Sequence, residues 1–383
     1  MPTVQDSRWM AQALRLAEQG LYSTSPNPRV GCVLVADEKI VGSGWHRRAG
    51  EPHAEVHALR EAGVKARGAT AYVTLEPCSH HGKTPPCAAA LIEAGVARVV
   101  VTVQDPNPKV AGEGIAKLRA AGIAVECGLM ETEARELNAG FFARMTRGTP
   151  WMRSKIAMSL DGRTALANGV SKWITGEAAR LDVQHWRARS CAVLTGIDTV
   201  LADDARLNVR EIETQRQPLR VVLDSKLRMP LTARILHQLP SPASGESAAR
   251  GAQPAGGEGK MLIYAAVHDT EKIAALEKAG VAVCVLPDRN GQVDLPAVLR
   301  DLAQRGCNEV LLEAGSTLNG AMLRAGLVDE LLMYVAPQLL GDKARGMAQL
   351  GELTGLNQRV NLKWQDVRQV GNDLRIIVKV ENV

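Results

Sequence analysis

The feature that most restricts how this chain can fold is a regular exchange between two kinds of segment. Short runs rich in β-branched residues, such as TAYVTL, RVVVTV and IAVECG, alternate with stretches of helical spacing, such as CAAALIEAG and GIAKLRAAG. Strands joined by helices pair through crossovers, and the helices then cover the sheet. The first 147 residues are therefore predicted to form a largely parallel, covered sheet. Before it, DSRWMAQALRLAEQG reads as an amphipathic helix capped by Asp6 or Ser7 and stopped at Gly20. VGCVLV and KIVGSGW read as a hairpin about Asp37-Glu38, and HAEVHALREAG as a short helix. ETEARELNAGFFARMTRG closes this segment as one long helix.

A chain of 383 residues exceeds one comfortable core. RGTPW, a Gly-Pro turn signal after a long helix, marks the expected boundary between residues 1–147 and 148–383. Beyond it the alternation resumes, with strand-like WMRSKIAMSLDG, CAVLTG, RVVLDS, MLIYAA, VAVCVLP, EVLLEAG and LLMYVAP. LKWQDVRQVGNDLRIIVKVE reads as an antiparallel hairpin turning at Gly371-Asn372-Asp373. The Gly/Ser/Ala/Pro-rich stretch 240–260 reads as a mobile loop inside the second domain, because strands of the same kind follow it.

Composition excludes several classes. Net charge is +5 and evenly spread, with 17 Lys/Arg against 15 Asp/Glu up to Arg147. There is no basic arm, and aromatics make up only 3%, so a nucleic-acid partner is not expected. A mildly positive balance suits anionic small molecules such as phosphates. Seven cysteines in a long chain are no disulfide framework and suggest a reducing cytoplasm. No charge-free apolar run approaches the roughly 18 residues of a membrane span, and the N-terminus reads without a signal peptide.

Three ligand-bearing residues recur at informative places. His53 opens a helix in PHAEV, Cys78 follows Pro77 after the TAYVTL strand, and Cys87 opens the next helix. A helix N-terminus stabilises a thiolate. One imidazole and two thiolates give zinc three protein ligands and leave a fourth position open, the mark of a catalytic site. Glu55, two residues after His53, is placed to move protons rather than to bind metal. This is the H-x-E and P-C arrangement of zinc base deaminases, but SHHGKTPP displaces the second cysteine from its usual spacing. A purely structural zinc, with His57, His80 or His81 as fourth ligand, is the alternative. His57 otherwise reads as a packing histidine.

The stretches SPNPRVGCVLV, GWHRRAGEPHAEVHAL and TLEPCSHHGKTPPC together resemble the bifunctional deaminase–reductase family of riboflavin biosynthesis, in which the longer insert is normal. The resemblance implies a cytidine-deaminase-like α/β/α domain in which His53, Cys78 and Cys87 hold Zn2+ and Glu55 shuttles protons. It also implies that Asn27, His46, His80 and Lys83 contact substrate. His80 and Lys83 suit a ribose 5-phosphate on chemical grounds.

The second domain is less legible from residues alone. No G-x-G-x-x-G follows a strand. EVLLEAGSTLNGAML offers a strand, a Gly turn and a helix N-terminus able to hold phosphate. SLDGRTA, SKWIT, LTGIDTVLADD, LDS and EAGSTLNGAML resemble the reductase domain of the same family, implying a dihydrofolate-reductase-like α/β fold that uses NADPH. Implied cofactor contacts are Ala157, Trp173, Thr199, Asp203, Ser225 and the turn and helix start Gly315, Ser316, Thr317, Leu318, Asn319, Gly320 and Ala321. Implied substrate contacts are Ser171, Arg187, Leu207, Arg210 and Glu313, with Lys155 at the reacting ribose. Ala205 stands where the family pattern usually has Pro, so LADDARLNVR is expected to be a looser loop. The implied activity is deamination of a diaminopyrimidine ribosyl phosphate followed by reduction of its ribose, in a homodimer. Two other classes are a cytidine or tRNA-adenosine deaminase with a non-catalytic second domain, and a zinc-stabilised binding protein.

Overall fold

The computed structural model describes residues 3–79, 86–108, 110–236 and 260–381. His80, Lys83 and nearly all of the 240–260 stretch therefore lie outside the described residues. The chain divides into two compact units, with the break between Thr149 and Pro150.

The first unit runs α1 (Val4–Glu18), β1 (Gly31–Ala36), β2 (Lys39–Trp45), α2 (Ala54–Ala62), β3 (Thr70–Val73), α3 (Cys87–Ala94), β4 (Arg98–Val101), α4 (Glu113–Ala120), β5 (Ala124–Cys127), α5 (Glu131–Leu137) and α6 (Ala139–Arg147). The cap of α1 is Thr3, one turn earlier than expected. Asp6 sits at the third helical position and closes a capping box with it. The hairpin turns at Asp37 and Glu38, both with positive φ (49° and 56°), as a two-residue turn matched to strand twist requires.

The five-stranded sheet has the order β2-β1-β3-β4-β5. β3, β4 and β5 pair in parallel; β1 is antiparallel to both neighbours, so β2 points the same way as β3. The expected hairpin brings β1 into the sheet against the direction of the other four strands. Alternate residues of β1 face opposite layers. Cys32 and Leu34 pack on Ala54, Ala58, Leu91 and Leu118, while Val33 and Val35 join Met10 and Ala13 of α1. Both faces are covered, and β1 reads as a near-continuous apolar run for that reason. A Cβ on Gly42 or Gly44 would meet the carbonyl oxygens of Ala58 (2.2 Å) or Ala54 (2.5 Å), so these glycines let α2 lie directly on β2. The expected closing helix is instead two helices broken at Asn138. Its buried carboxamide accepts from Arg29 N (2.8 Å) and donates to Arg29 O (2.9 Å), a tertiary tie that helical periodicity does not reveal.

The second unit runs β6 (Trp151–Ser159), β7 (Arg163–Ala165), α7 (Glu177–Arg189), β8 (Ala192–Gly196), α8 (Ile197–Asp203), β9 (Leu219–Leu223), β10 (Met261–Ala265), α9 (Thr270–Lys278), β11 (Val281–Val285), α10 (Leu295–Gln304), β12 (Glu309–Leu312), α11 (Ser316–Arg324), β13 (Glu330–Ala336), β14 (Arg345–Gly346), β15 (Asn361–Val370) and β16 (Asp373–Glu381). Its main sheet has the order β11-β10-β9-β8-β12-β6-β13-β16-β15. The strands from β11 to β13 pair in parallel, and β16 and β15 add the antiparallel hairpin. One apolar cluster fills each face. Buried Arg153 on β6 pairs with Glu309 of β12 on one side and Glu330 of β13 on the other, so charge as well as apolar pattern fixes the register of these strands.

Candidate active sites

Three segments meet at the carboxyl end of β3. His53 is the N-cap residue of α2 and spends no side-chain bond on capping. Cys87 is the first residue of α3, behind Pro86. Cys78 lies in the segment that leaves β3. The ligand atoms of the three all fall within 4.8 Å of one another. His53 Nδ1 stands 3.6 Å from Cys78 Sγ and 3.3 Å from Cys87 Sγ. A tetrahedral zinc at its usual bond lengths separates such donors by about 3.5–3.8 Å, so the trio fits that ion without rearrangement. Among the described residues, no other His, Cys, Asp or Glu joins the cluster. His57 stands apart from it, on the side of α2 that packs on Gly44.

Electrostatics favours thiolate and a mobile proton here. A hydrogen bond from Cys87, joined by His53, pulls the Cys78 pKa down to about 4 despite burial. The same bond and burial push Cys87 up. The Cys78 partner raises His53. Glu55, on the first turn of α2, is only 3% exposed, and burial raises its pKa. Its Oε2 has no hydrogen-bond partner among the described residues. A buried, unsatisfied carboxylate oxygen is costly and needs a reason; a proton-carrying role beside a metal-held water supplies one.

His46 and Asn27 complete the wall. His46 is buried, its pKa lowered to about 4 chiefly by burial. It is therefore neutral near pH 7. Nδ1 faces Pro52 O (3.2 Å) and Nε2 faces Asn27 Nδ2 (3.0 Å). Only one tautomer satisfies both: Nδ1–H donates to Pro52 and Asn27 donates to Nε2. The His46 ring meets the His53 ring edge-on, with centroids 5.2 Å apart.

The second unit holds a cleft of about 1840 Å³ at the carboxyl ends of its parallel strands, where open α/β sheets bind ligands. Ala157, Trp173, Thr199, Asp203 and Ser225 line it. So do Gly315, Ser316, Thr317, Leu318 and Ala321 at the start of α11, and a Cβ on Gly315 would meet open space. Asn319 and Gly320 do not line it. Asn319 is buried and donates to Ala314 O and Met347 O, both 3.2 Å. A Cβ on Gly320 would meet Gln349 O at 2.1 Å, so it serves helix packing. Helical rotation turns these two side chains away from the cleft.

Of the expected substrate contacts, Ser171, Arg187, Leu207, Arg210 and Glu313 all line the cleft, as does Lys155. Arg187 is less free than the sequence suggested. Its Nε and Nη2 donate to Glu313 at 2.6 and 2.9 Å, and Nη1 donates to Asn208 O at 3.0 Å. Burial opposes the Glu313 charge, yet Arg187, Lys155 and Arg210 hold its pKa down to about 2. Burial lowers the pKa of Lys155. Leu207 is 2% exposed and belongs to the core, with φ of 53°. The expected looser loop is thus anchored: Leu207 is buried, and Asp204 accepts from Arg234 N at 2.8 Å. Sequence reading missed Lys172, which pairs with Asp203 (3.0 Å), and Arg180, whose guanidinium lies 4.6 Å from the Trp173 ring centroid. The SKW motif was the available signal for Lys172, which adjoins the tryptophan; Arg180 lies outside it, in α7.

Residues 3–103 match the cytidine and deoxycytidylate deaminase zinc-binding region. Residues 150–376 match the RibD C-terminal domain, over more than half of the chain. The chain belongs to the RibD family. It is 49% identical to riboflavin biosynthesis protein RibD of Escherichia coli, over 97% of this chain and 98% of that one. The Haemophilus influenzae relative is 43% identical over 97% and 96%. The fold is similar to that of Acinetobacter baumannii RibD, form 1, with TM-score 0.87 and 48% identity over 99% of both chains. A Thermotoga maritima protein described as a diaminohydroxyphosphoribosylaminopyrimidine deaminase/5-amino-6-(5-phosphoribosylamino)uracil reductase gives 0.82 and 32%, over 98% and 99%. As a RibD protein the chain is a bifunctional enzyme of riboflavin biosynthesis, with a zinc-dependent deaminase domain and an NADPH-dependent reductase domain. The match across the second unit disfavours a deaminase with a non-catalytic partner domain.

Proposed function

We propose that the chain deaminates 2,5-diamino-6-(5-phosphoribosylamino)pyrimidin-4-one to 5-amino-6-(5-phosphoribosylamino)uracil, and then reduces the ribosyl group to the ribityl chain. The observation that carries the first step is the His53, Cys78 and Cys87 cluster with the free Oε2 of Glu55 beside it. Zinc held by that trio would make water nucleophilic at neutral pH. Glu55 takes one proton from water to a ring nitrogen, and a second from the hydroxyl added to the ring carbon to the amino group, which leaves as ammonia when its C–N bond breaks; its raised pKa suits both directions. Asn27, whose Nδ2 is committed to His46, presents Oδ1 as an acceptor toward the substrate. His80 and Lys83 are assigned the 5-phosphate by their charge.

For the second step, NADPH would supply hydride to C1′ of the opened ribose. The backbone N–H groups at the start of α11 suit its pyrophosphate, while Trp173, Thr199, Asp203 and Ser225 line the rest of its path. Lys155 and Arg210 face the substrate, and Arg187 with Glu313 fixes the wall between them. No helix among the described residues is long and apolar enough to cross a membrane, and seven cysteines outside any disulfide suit a reducing compartment, so we place the enzyme in the cytoplasm. We also expect a homodimer. The outermost strand β15 exposes Leu362, Trp364 and Val367, with Trp364 67% exposed. Trp364→Glu should halve the mass seen by light scattering, and an unchanged mass rejects this contact.

The test of the reading is Glu55→Gln. It should keep zinc, lose deamination by about 10²–10⁴-fold, and still reduce supplied uracil substrate with NADPH. Full deamination by this variant would remove Glu55 from its role.

A further inference from the structure

Glu76 lies two residues before Cys78, is 3% exposed, and makes no ion pair among the described residues. Its carboxylate is nevertheless fully used. Oε2 accepts from Asp105 N (3.1 Å) and Gly112 N (2.9 Å); Oε1 accepts from Gly114 N (2.9 Å) and Ile115 N (3.1 Å). Gly112 is the N-cap of α4 and offers no side chain. Gly114 and Ile115 are its second and third helical residues, whose N–H groups a capping side chain would normally satisfy. Glu76 therefore caps α4 from a different segment, the one that carries Cys78.

Two further contacts bind the same pair of segments. A Cβ on Gly114 would meet Pro77 O at 1.9 Å, so the start of α4 rests against the peptide just ahead of Cys78. On the other side of Cys78, Ser79 Oγ donates to Glu113 Oε2 (3.1 Å) and Lys117 Nζ donates to Ser79 O (2.6 Å). His53 and Cys87 are placed by the starts of their own helices. Cys78 belongs to no helix or strand, and it is held from both sides by α4.

We infer that Glu76 is a positioning residue of the metal centre: its four backbone hydrogen bonds clamp the Cys78 segment to α4 and so set where the Cys78 sulfur stands. This rests on the zinc reading above. Gln at position 76 would turn an NH2 group toward two N–H donors, so it cannot reproduce the clamp, although its size and shape are nearly unchanged.

The test compares wild type, Glu76→Gln, Lys117→Met and, as a buried-carboxylate control remote from the centre, Asp6→Asn. Each is loaded with zinc and challenged with a chromogenic chelator, and each is loaded with Co2+ for its visible spectrum. Glu76→Gln should lose zinc affinity by about 10–100-fold and shift the cobalt bands, with NADPH-dependent reduction of the uracil substrate unchanged. Lys117→Met should move both readouts the same way by less, and Asp6→Asn should move neither. Wild-type affinity and spectrum in Glu76→Gln would overturn the inference while leaving the zinc reading intact. Failure of wild type to bind either metal would overturn the zinc reading itself. If Glu76→Gln does not fold, Lys117→Met decides: an unshifted cobalt spectrum there rejects the clamp.

Discussion

The metal centre of the first unit and the cleft of the second distribute their chemistry in opposite ways. Four residues make up the centre, on three segments that converge at one strand end: helix starts fix His53, Glu55 and Cys87, and contacts with α4 hold the Cys78 segment. The cleft is lined from β6 to β12, by loops and by α11, and each side chain covers a small part of a long surface. A tight constellation should fail outright when one member goes. A distributed surface should lose affinity in steps.

The sharpest break of that comparison is Cys87→Ser or His53→Ala. Either should release zinc and cut deamination by about 10³-fold or more, with reduction within about twofold of wild type. Chelation should do the same reversibly. Loss of both activities on chelation would show that the two units are not independent in this sense.

Next in size is Glu313→Ala. Arg187 and Glu313 are each about one-tenth exposed and joined by two hydrogen bonds. Removing the carboxylate leaves a buried, unpaired guanidinium, and the second unit should lose about 3–5 kcal/mol in denaturant melts. The pH dependence follows from the depressed folded-state pKa of about 2. Relative to Glu313→Gln, the wild-type advantage should be complete above about pH 4.5, where the unfolded carboxylate is ionised. It should fade as pH falls from there through about 2. An advantage that persists at pH 2 would mean that shape, not charge, holds this pair. Trp173→Ala, at the end of the cleft we assign to the cofactor, should raise the KM for NADPH by only about fivefold, as loss of one exposed stacking surface would. A hundredfold loss would show that the cleft is not distributed after all.

The same contrast explains what the sequence disclosed. Zinc chemistry tolerates few donor sets, so His53, Glu55, Cys78 and Cys87 were legible from residue type and from helix starts alone. In the cleft, residue types such as Ala157, Thr199 and Ser225 carry little chemical signal, and resemblance was needed to find them. Asn319 and Gly320, named with their neighbours as one continuous run, are turned from the cleft by helical rotation, which a linear motif does not show. The element pattern was readable wherever both faces of a strand are buried. It failed at Asn138 and Thr3, where one side chain's bonds decide a boundary. Glu76 gave no signal, since four backbone partners leave no pattern in the sequence.

The smallest expected effect is also the cleanest check on how local the metal centre is. Thr3 caps α1 by accepting from Asp6 N at 3.1 Å, and Asp6 Oδ2 accepts in turn from Thr3 N at 2.7 Å. Thr3→Ala should cost the first unit about 1 kcal/mol. Helix α1 covers the face of the sheet built on Val33, Val35 and Tyr72. The metal-bearing helices α2 and α3 cover the opposite face with Ala54, Ala58 and Leu91. A frayed α1 should therefore lower the melting temperature of the first unit while zinc affinity and deamination stay at wild-type values. A fall in zinc affinity comparable to that of a substitution near the ligands would mean that strain crosses the sheet, and the picture of a self-contained centre would have to be given up.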